Sequence, residues 1–265
     1  MNLRDEMPAA GRNAQRRVCA MKKAVSLLLS ALFLLLCLLP SAVAEDAAPV
    51  APGDTVIFGT YPQNKEGTDD EPVEWMVLDV QDGKCFLLSK KGLIAKSLHT
   101  EDATEDALVT WETCALRAWL NGEFLNDAFT EEEQAAIFVT DVDNGPDQCY
   151  SGWKTSGGNN TQDKVFLLSY GEAHKYLKLA YKKASSKPRF TPTEYAIASG
   201  AWITREIRTS DGKLTGWWLL RSPGPNEKLG SCVNNGGSLS DCAFTLASGC
   251  IRPAMWVDAA ALSGN

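Results

Sequence analysis

The sequence predicts an α+β fold in which strands at both ends of the domain enclose a central group of helices. Residues 54–89 read as strands with a tight turn, and residues 111–200 carry repeated helix signals. From residue 216 onward, short apolar runs alternate with turns. Strands, then helices, then strands along one chain indicate an α+β domain with a mixed or antiparallel sheet.

The N-terminal strands are β-rich runs. DTVIFGTY (54–61) predicts a strand that ends at a Tyr-Pro turn. VEWMVLDV (73–80) and KCFLLS (84–89) flank Asp82-Gly83, which is typical of a two-residue hairpin turn. We therefore expect a β-hairpin over residues 73–89, and we expect it to share one sheet with the C-terminal strands.

The first helix is predicted by aromatic spacing. Trp111, Ala115 and Trp119 recur at intervals of four residues, as on one face of a helix. Asn121-Gly122 is expected to end this helix.

Further helices are predicted by capping signals. Thr130 with Glu133, and Ser169 with Glu172, have the spacing of capping boxes. A third signal is TPTE (191–194), which places a proline at the first helical position. Gly200 would follow the end of that helix, and residues 165–168 read as a short apolar strand between helices.

The N-terminal region resembles a secretory signal peptide. Lys22-Lys23 precede an apolar stretch of about 16 residues, and Ala42-Val43-Ala44 has the form of a cleavage site. We expect residues 21–44 to be this signal, cleaved after Ala44, with a linker at 45–53 and the domain at 54–258. An uncleaved anchor is the alternative, although about 20 apolar residues are usual for a membrane span. Residues 1–20 form an upstream segment, and translation from Met1 or from Met21 stays open.

Charge limits the partners of the exported chain. The full sequence has a net charge of −7, and removal of residues 1–44 takes away six basic and two acidic side chains, which leaves −11. Such a surface repels phosphate backbones and anionic lipid heads. We therefore expect neither nucleic-acid binding nor peripheral membrane binding. After signal cleavage no second apolar stretch is long enough to span a bilayer, so no membrane span is expected either.

Six cysteines follow residue 44, an even number that permits disulfides in an exported protein. If a bridge forms, a pair among the last three is the favoured one, and buried free thiols are the other interpretation. No CxxC or Cys/His ligand spacing occurs, so neither a zinc site nor another cofactor is expected. The six are Cys85, Cys114, Cys149, Cys232, Cys242 and Cys250.

No motif of a known catalytic site is present. The sequence lacks G-x-S-x-G, a P-loop and H-E-x-x-H. Three aspartates lie in DVDNGPD (141–147), where a calcium loop competes with an ordinary turn; the glycine spacing departs from that of an EF-hand. We expect no catalytic residues, no metal site and no enzymatic activity.

Two segments are candidates for ligand binding. The polar loop 151–163 holds Trp153, which either grips a sugar or peptide or packs against the core. The Gly/Asn-rich segment 222–241 exposes amides, and ordinary hairpin turns are its alternative. The candidate ligand-binding residues are Trp153, Arg221, Asn226, Asn234, Asn235 and Ser238.

Two aromatic runs near the C-terminus, GWWLLRSPG (216–224) and GCIRPAMWV (249–257), each carry one arginine and one proline. The arginines either clamp loop carbonyls and carboxylates or, at Arg221, reach a ligand. We expect large aromatic residues to form the core: Trp75, Trp111, Trp119 and Trp218, with Trp256 beside them. The residues assigned to the structural motif are Trp217, Trp218, Arg221, Pro223, Gly249, Arg252, Pro253 and Trp256.

The order of these pieces resembles a large family of exported bacterial domains of unknown function. The similarity runs from GTYPQ (59–63) through EWMVLDV, TWETCALRAWLNGEF, FLLS, TPTEYA and WWLLRSPG to GCIRPAMW. The ending also resembles the C-type-lectin-like fold of formylglycine-generating enzymes, since Gly249-Cys250-Ile251-Arg252 is similar to their terminal Gly-Phe-Arg. This resemblance implies a single C-type-lectin-like domain with helices inserted between N- and C-terminal strands.

The departures from those enzymes matter for function. They hold copper with a closely spaced cysteine pair, whereas Cys242 and Cys250 lie in different motifs here. Pro225-Asn226-Glu227 also differs in order from the Glu-Pro-Asn sugar–calcium motif of C-type lectins. We therefore expect a secreted, non-catalytic binding module whose extracellular ligand is a glycan, a peptidoglycan fragment or a protein. A structural envelope domain and a formylglycine-generating-enzyme-like oxidoreductase are the alternatives.

Overall fold

A computed structural model describes residues 49–100, 109–185 and 190–262. These described residues form one compact unit. The predicted signal peptide and residues 45–48 of the predicted linker lie outside the described residues. Among the described helices, none has the length and hydropathy needed to cross a membrane.

Short strands and short helices build the domain, which is mixed α+β as predicted. The strands are β1 (Thr55–Tyr61), β2 (Glu71–Gln81), β3 (Lys84–Ser89), β4 (Ile94–Ala95), β5 (Thr140–Val142), β6 (Thr161–Asp163), β7 (Ile203–Arg208), β8 (Leu214–Gly216), β9 (Trp218–Pro223), β10 (Leu229–Val233), β11 (Leu239–Ala243), β12 (Cys250–Ile251) and β13 (Ala254–Asp258). The helices are α1 (Ala115–Trp119), a π-helical turn (Leu120–Phe124), α2 (Leu125–Ala128), α3 (Glu131–Ala136), a 3-10 turn (Pro146–Gln148), α4 (Tyr170–Leu177), α5 (Glu194–Ala198) and a final 3-10 turn (Ala259–Leu262).

One curled sheet joins the N-terminal hairpin to the last strand. Its order is β1-β2-β3-β13, with antiparallel neighbours throughout. Asp82 and Gly83 both have positive φ, 49° and 74°, as a type I′ turn requires. The predicted hairpin is thereby confirmed.

A second sheet contains the other C-terminal strands in the order β11-β10-β9-β12-β4. Only the β9–β12 pair is parallel. The chain passes from this sheet to the first between β12 and β13, at Arg252-Pro253. The expectation that all C-terminal strands share one sheet with the hairpin is therefore correct for β13 alone, because Pro253 has no N–H to continue a ladder.

The predicted capping boxes of α3 and α4 are confirmed. In each, the hydroxyl of the N-cap residue accepts the N3 backbone N–H, and the N3 glutamate accepts the N-cap backbone N–H. At α5 the predicted start was two residues too early. Thr193, and not Thr191, is the N-cap, and its hydroxyl accepts the Ala196 N–H at 2.9 Å.

The first helix departs from its predicted ends. Trp111 lies in a turn before α1, and the helical path continues through Asn121-Gly122 to Ala128. Asn121 does not end the helix because its side chain is satisfied by neighbouring backbone, donating to Val165 O at 2.8 Å and accepting from Lys164 N at 2.9 Å. Burial of Phe124 also favours continuation.

Residues 165–168 are buried but form no strand of their own. A single bridge joins Phe166 to Ala254 of β13, while Leu168 O accepts the Arg221 N–H of β9. The segment lies between the two sheets and pairs with one residue of each, which explains why its apolar pattern resembled a strand.

The aromatic core is confirmed in large part. Trp75, Trp111 and Trp218 are at most 1% exposed. Trp119 and Trp256 are only partly buried and pack against the edge of the core. Trp256 stacks on Phe86 with ring centroids 4.9 Å apart.

Candidate functional site: a cleft between two loops

Asn144 fixes the polar loop of residues 151–160. Its backbone N–H donates to Asn160 Oδ1 and its side-chain amide donates to Asn159 O, both at 2.9 Å. Gly157 comes so close that a Cβ there would lie 2.2 Å from Asn144 O. Only glycine fits this approach, so the loop is held in one conformation.

Arg221 in turn holds Asn144. It is 2% exposed. Its guanidinium donates to Asn144 Oδ1 at 3.2 Å and to two backbone carbonyls, Leu167 O at 2.7 Å and Asp143 O at 2.9 Å. It also forms a bidentate pair with Glu172 of α4 at 2.5 and 3.1 Å. Every donor group of the side chain is engaged, so Arg221 acts as a clamp behind the loop.

The connection from β9 to β10 forms the opposing loop. Gly224 N donates to Leu229 O at 2.7 Å, and Asn226 Oδ1 accepts from Lys228 N at 3.0 Å. The Thr155 hydroxyl donates to Gly224 O and joins the two loops. Both walls are therefore ordered by their own hydrogen bonds before any ligand arrives.

Between these loops lies a cleft of about 440 Å³, which we call the loop cleft. This volume falls in the range of small-molecule sites. Hydroxyl and amide groups share the walls with apolar side chains. The lining residues are Val109, Thr110, Lys154, Thr155, Ser156, Gly158, Pro223, Pro225, Asn226, Glu227 and Phe244.

Two opposite charges face the loop cleft. Lys154 comes from the first loop and Glu227 from the second, and both side chains are exposed. Neither has an ion-pair partner in the part of the chain that the structure describes. The cleft can thus offer a cation and an anion to one ligand, together with the hydroxyls of Thr110 and Ser156.

Trp153 packs beside the loop cleft without lining it. Its ring meets Tyr150, Tyr181 and Tyr170 edge-on, at 5.2, 5.5 and 6.1 Å between centroids. It is partly buried. The structure therefore places Trp153 in an aromatic cluster, although its neighbour Lys154 reaches the cleft.

The remaining candidates lie at the other end of the β10–β11 hairpin from Asn226. Asn234 Oδ1 accepts from Gly236 N at 2.9 Å and Ser238 N at 3.1 Å, and its amide donates to Ser238 Oγ at 2.8 Å. Ser238 is 4% exposed. Asn234, Asn235 and Ser238 thus belong to a hairpin turn, and of the candidates predicted in segment 222–241 only Asn226 lines the loop cleft.

The motif residues pack between the sheets. Arg252 is 3% exposed and donates twice to Ser89 O, at 2.9 and 2.7 Å, while Pro253 O accepts from Ser89 N. Trp218 lies against the Arg252 guanidinium, 4.7 Å from ring centroid to Cζ. A Cβ at Gly249 would lie 2.6 Å from the Trp217 ring, so glycine is required there.

The aspartates and cysteines take local roles. Asp143 accepts from Gly145 N at 2.8 Å and Gln148 Nε2 at 3.1 Å, as in an ordinary turn. All six cysteines of the described chain are free thiols. Cys242 on β11 and Cys250 on β12 are separated by β10 and β9. The described residues contain no group of three potential metal ligands.

Sequence reasoning missed the charged pair of the loop cleft. Lys154 and Glu227 are 73 positions apart and carry no motif. A usable signal was the density of Gly, Ser, Thr and Asn around both residues, which indicated exposed loops. Nothing in that composition shows that the two loops meet, because the contact depends on the Arg221–Asn144 clamp.

Comparison with known families identifies the family of this chain. A sequence model described as "Domain of unknown function (DUF6273)" matches residues 82–259, which run from the β2–β3 turn past the end of β13 and include both walls of the loop cleft. No curated protein and no solved structure matches the chain.

Proposed function

Because the chain belongs to the DUF6273 family of domains of unknown function, we propose a function from its own loop cleft: it is an exported, non-catalytic binding module for a short zwitterionic ligand. The chemical class is a peptide that carries both a free carboxylate and a free ammonium group. The peptide stem of a peptidoglycan fragment has this chemistry and is met outside the cytoplasm, where the predicted signal peptide would direct the protein.

The observation that carries the proposal is the unpaired couple Lys154 and Glu227 facing one cleft. A ligand carboxylate would pair with Lys154 and a ligand ammonium with Glu227. The Thr110 and Ser156 hydroxyls would accept or donate hydrogen bonds to peptide groups between them. Opposite charges on the two walls favour a ligand with a matching charge pattern.

The clamp behind the loop supports a binding role. Asn144 and Gly157 tie the first loop to the core, and the Thr155–Gly224 contact ties the two loops to each other. A site that is already ordered loses less conformational entropy on binding. This arrangement suits recognition better than it suits a purely structural envelope domain.

We also propose that the fold is of the C-type-lectin-like kind. Its support is the pairing of N-terminal β3 with C-terminal β13, with the helices and the second sheet inserted between them. The wide separation of Cys242 and Cys250 gives no support to a copper-dependent oxidoreductase. Superposition of a crystal structure on C-type-lectin-like domains tests this assignment, and a different strand order in the first sheet would refute it.

The binding test uses calorimetry on the purified protein with three probes: a muropeptide, its stem peptide alone, and that peptide with amidated carboxylates. We expect the first two to bind and amidation to weaken binding about tenfold, the scale of one charge-assisted hydrogen bond. Lys154→Met and Glu227→Gln should each weaken binding of the stem peptide to a similar extent.

Lys228→Met is the matched control, because Lys228 is exposed next to Glu227 but does not line the cleft. The affinity of this control variant for the stem peptide should equal that of the unchanged protein. Binding that is insensitive to both cleft variants would place the ligand elsewhere. Failure of all three probes would leave the structural envelope role as the better explanation.

A further inference from the structure

We propose that the protein has a second site, which binds a neutral saccharide on a platform of tyrosines. This aromatic cleft lies between the 3-10 turn of residues 146–148, the start of α4 and residues 180–181. It encloses about 430 Å³ and is lined by Tyr150, Tyr170, Tyr181, Asp147, Ser151 and His174, among others. It is distinct from the loop cleft and does not depend on the function proposed there.

The tyrosine rings form a connected surface. Tyr150 stacks on Tyr181 with centroids 4.6 Å apart, and Tyr170 is tilted against Tyr150 at 5.4 Å. Tyr150 and Tyr181 are half-buried, so part of each ring remains open to the cleft. Sugars present C–H faces that pack on such rings, while their hydroxyls need polar partners at the rim.

Trp153 supports this platform. It contacts all three tyrosines edge-on but does not line the cleft. A set of four mutually packed rings is rigid, which limits the entropy lost on binding. Trp153 would therefore act by holding the rings that make the contact, and not by touching the sugar itself.

Polar groups surround the platform in the pattern that a sugar needs. His174 Nδ1 lies 2.5 Å from Leu179 O. Since a carbonyl only accepts, Nδ1 carries the proton, and in the neutral ring Nε2 is a free acceptor. The Asp147 carboxylate has no hydrogen-bond partner among the described residues and supplies further acceptors. Burial raises the pKa of Tyr170 to about 12, so its hydroxyl stays protonated.

The charge pattern favours a neutral saccharide over other ligands. The lining residues include the acidic Asp147 but no lysine or arginine, which disfavours anions. A quaternary ammonium ion would need several ring faces directed into one cage. Here Tyr150 and Tyr181 stack on each other, and the Lys182 ammonium lies 5.0 Å from the centroid of the Tyr181 ring, so no aromatic cage is left for a second cation.

Gly171 explains how the two walls come so close. A Cβ at this position would lie 2.6 Å from Asp147 O. The glycine therefore lets the start of α4, with Tyr170, pack on the turn that carries Asp147 and Tyr150.

The test is calorimetric titration of the purified protein with N-acetylglucosamine trimer, cellotriose and maltotriose, and separately with choline. We expect at least one saccharide to bind with a Kd below about 1 mM. Tyr150→Ala or Tyr181→Ala should weaken it about tenfold, the scale of a lost aromatic contact. Tyr181→Phe keeps the ring and should retain most of the affinity.

Two further variants distinguish a loss of saccharide binding from a loss of folding. Asp147→Asn changes an exposed side chain and should weaken saccharide binding while leaving the unfolding temperature unchanged. Trp202→Ala removes an aromatic ring that is 48% exposed outside the cleft, and its saccharide affinity should match that of the unchanged protein. The proposal is overturned if no saccharide binds at about 10 mM, if binding survives both alanine changes, or if choline alone binds in a tyrosine-dependent way.

Discussion

Arg221 and Arg252 occupy similar settings in the sequence but are accommodated in different ways. Each lies in an aromatic run with a proline close behind it, and each is at most 3% exposed. Arg221 has a carboxylate partner, Glu172, in a bidentate pair. Arg252 has no carboxylate partner among the described residues; its guanidinium donates only to Ser89 O and lies between the rings of Trp218 and Phe190.

The two arginines therefore have different surroundings. We call the Arg221 network a polar anchor, because polar groups hold the side chain, and the setting of Arg252 a dry junction, because rings and one carbonyl surround it. The Arg221 network includes backbone carbonyls and Asn144, and it ends in a loop that lines a cleft. Arg252 lies where the chain passes from the second sheet to the first. Burial lowers the pKa of the Arg252 guanidinium because its charged form loses water and gains little in return. The same residue type thus orders a candidate site in one place and joins two sheets in the other.

The largest expected effect is that of Arg221→Met. Methionine keeps much of the volume but leaves Glu172 and three oxygen acceptors without their partner. Loss of one member of a buried ion pair typically costs about 3–5 kcal/mol, and the partial exposure of Glu172, 22% for its side chain, favours the lower end. Urea unfolding should show this loss, and peptide binding in the loop cleft should weaken with it.

Arg252→Met should cost less, about 1–2 kcal/mol, because removal of an unpaired cation also removes its desolvation penalty. The remaining cost comes from Ser89 O, which loses two hydrogen bonds, and from the lost cation–π contacts. Urea unfolding of both methionine variants tests the comparison. Equal losses would mean that carbonyl and ring contacts, and not carboxylate pairing, dominate at both arginines. Peptide binding in the loop cleft should not change in Arg252→Met.

The sequence predicted those parts of the fold that depend on near neighbours. The Asp82-Gly83 turn and both capping boxes were predicted correctly because each is decided within a few residues. Asn121-Gly122 was misread as a helix end, since the backbone groups that satisfy Asn121 lie more than 40 positions away. Likewise, nothing local shows that β13 joins the first sheet while β12 joins the second.

The candidate site was predicted less completely, for the same reason. Asn226 was selected from its Gly/Asn-rich surroundings and does line the loop cleft. Asn234 was selected on the same grounds, yet its side chain is used within its own turn. Composition identifies exposed loops, but it cannot tell which amides are consumed by the turn itself. The clamp role expected for Arg221 agrees better with the structure than the roles expected for the asparagines. A guanidinium near the core needs several hydrogen-bond acceptors, and this requirement can be inferred from the sequence.

The last expected effect is confined to alkaline pH and tests how dry the Arg252 junction is. Cys250 is fully buried beside Arg252, and burial raises the pKa of its thiol from 9.0 to about 12. Between these values the unfolded chain loses the proton and the folded chain keeps it. Stability therefore falls as pH rises through this window, by at most about 1.4 kcal/mol per pH unit for this one thiol.

Cys250→Ala should remove that contribution, so urea unfolding under reducing conditions should show a shallower decline in stability above pH 9 than in the unchanged protein. Cys149→Ala is the matched control. Cys149 is only half-buried and lies near the Arg221 network, where the guanidinium offsets part of the rise in its pKa. Its removal should flatten the decline less. If both variants flatten it equally, water reaches the Arg252 junction as readily as the Arg221 network, and the contrast between a dry junction and a polar anchor fails.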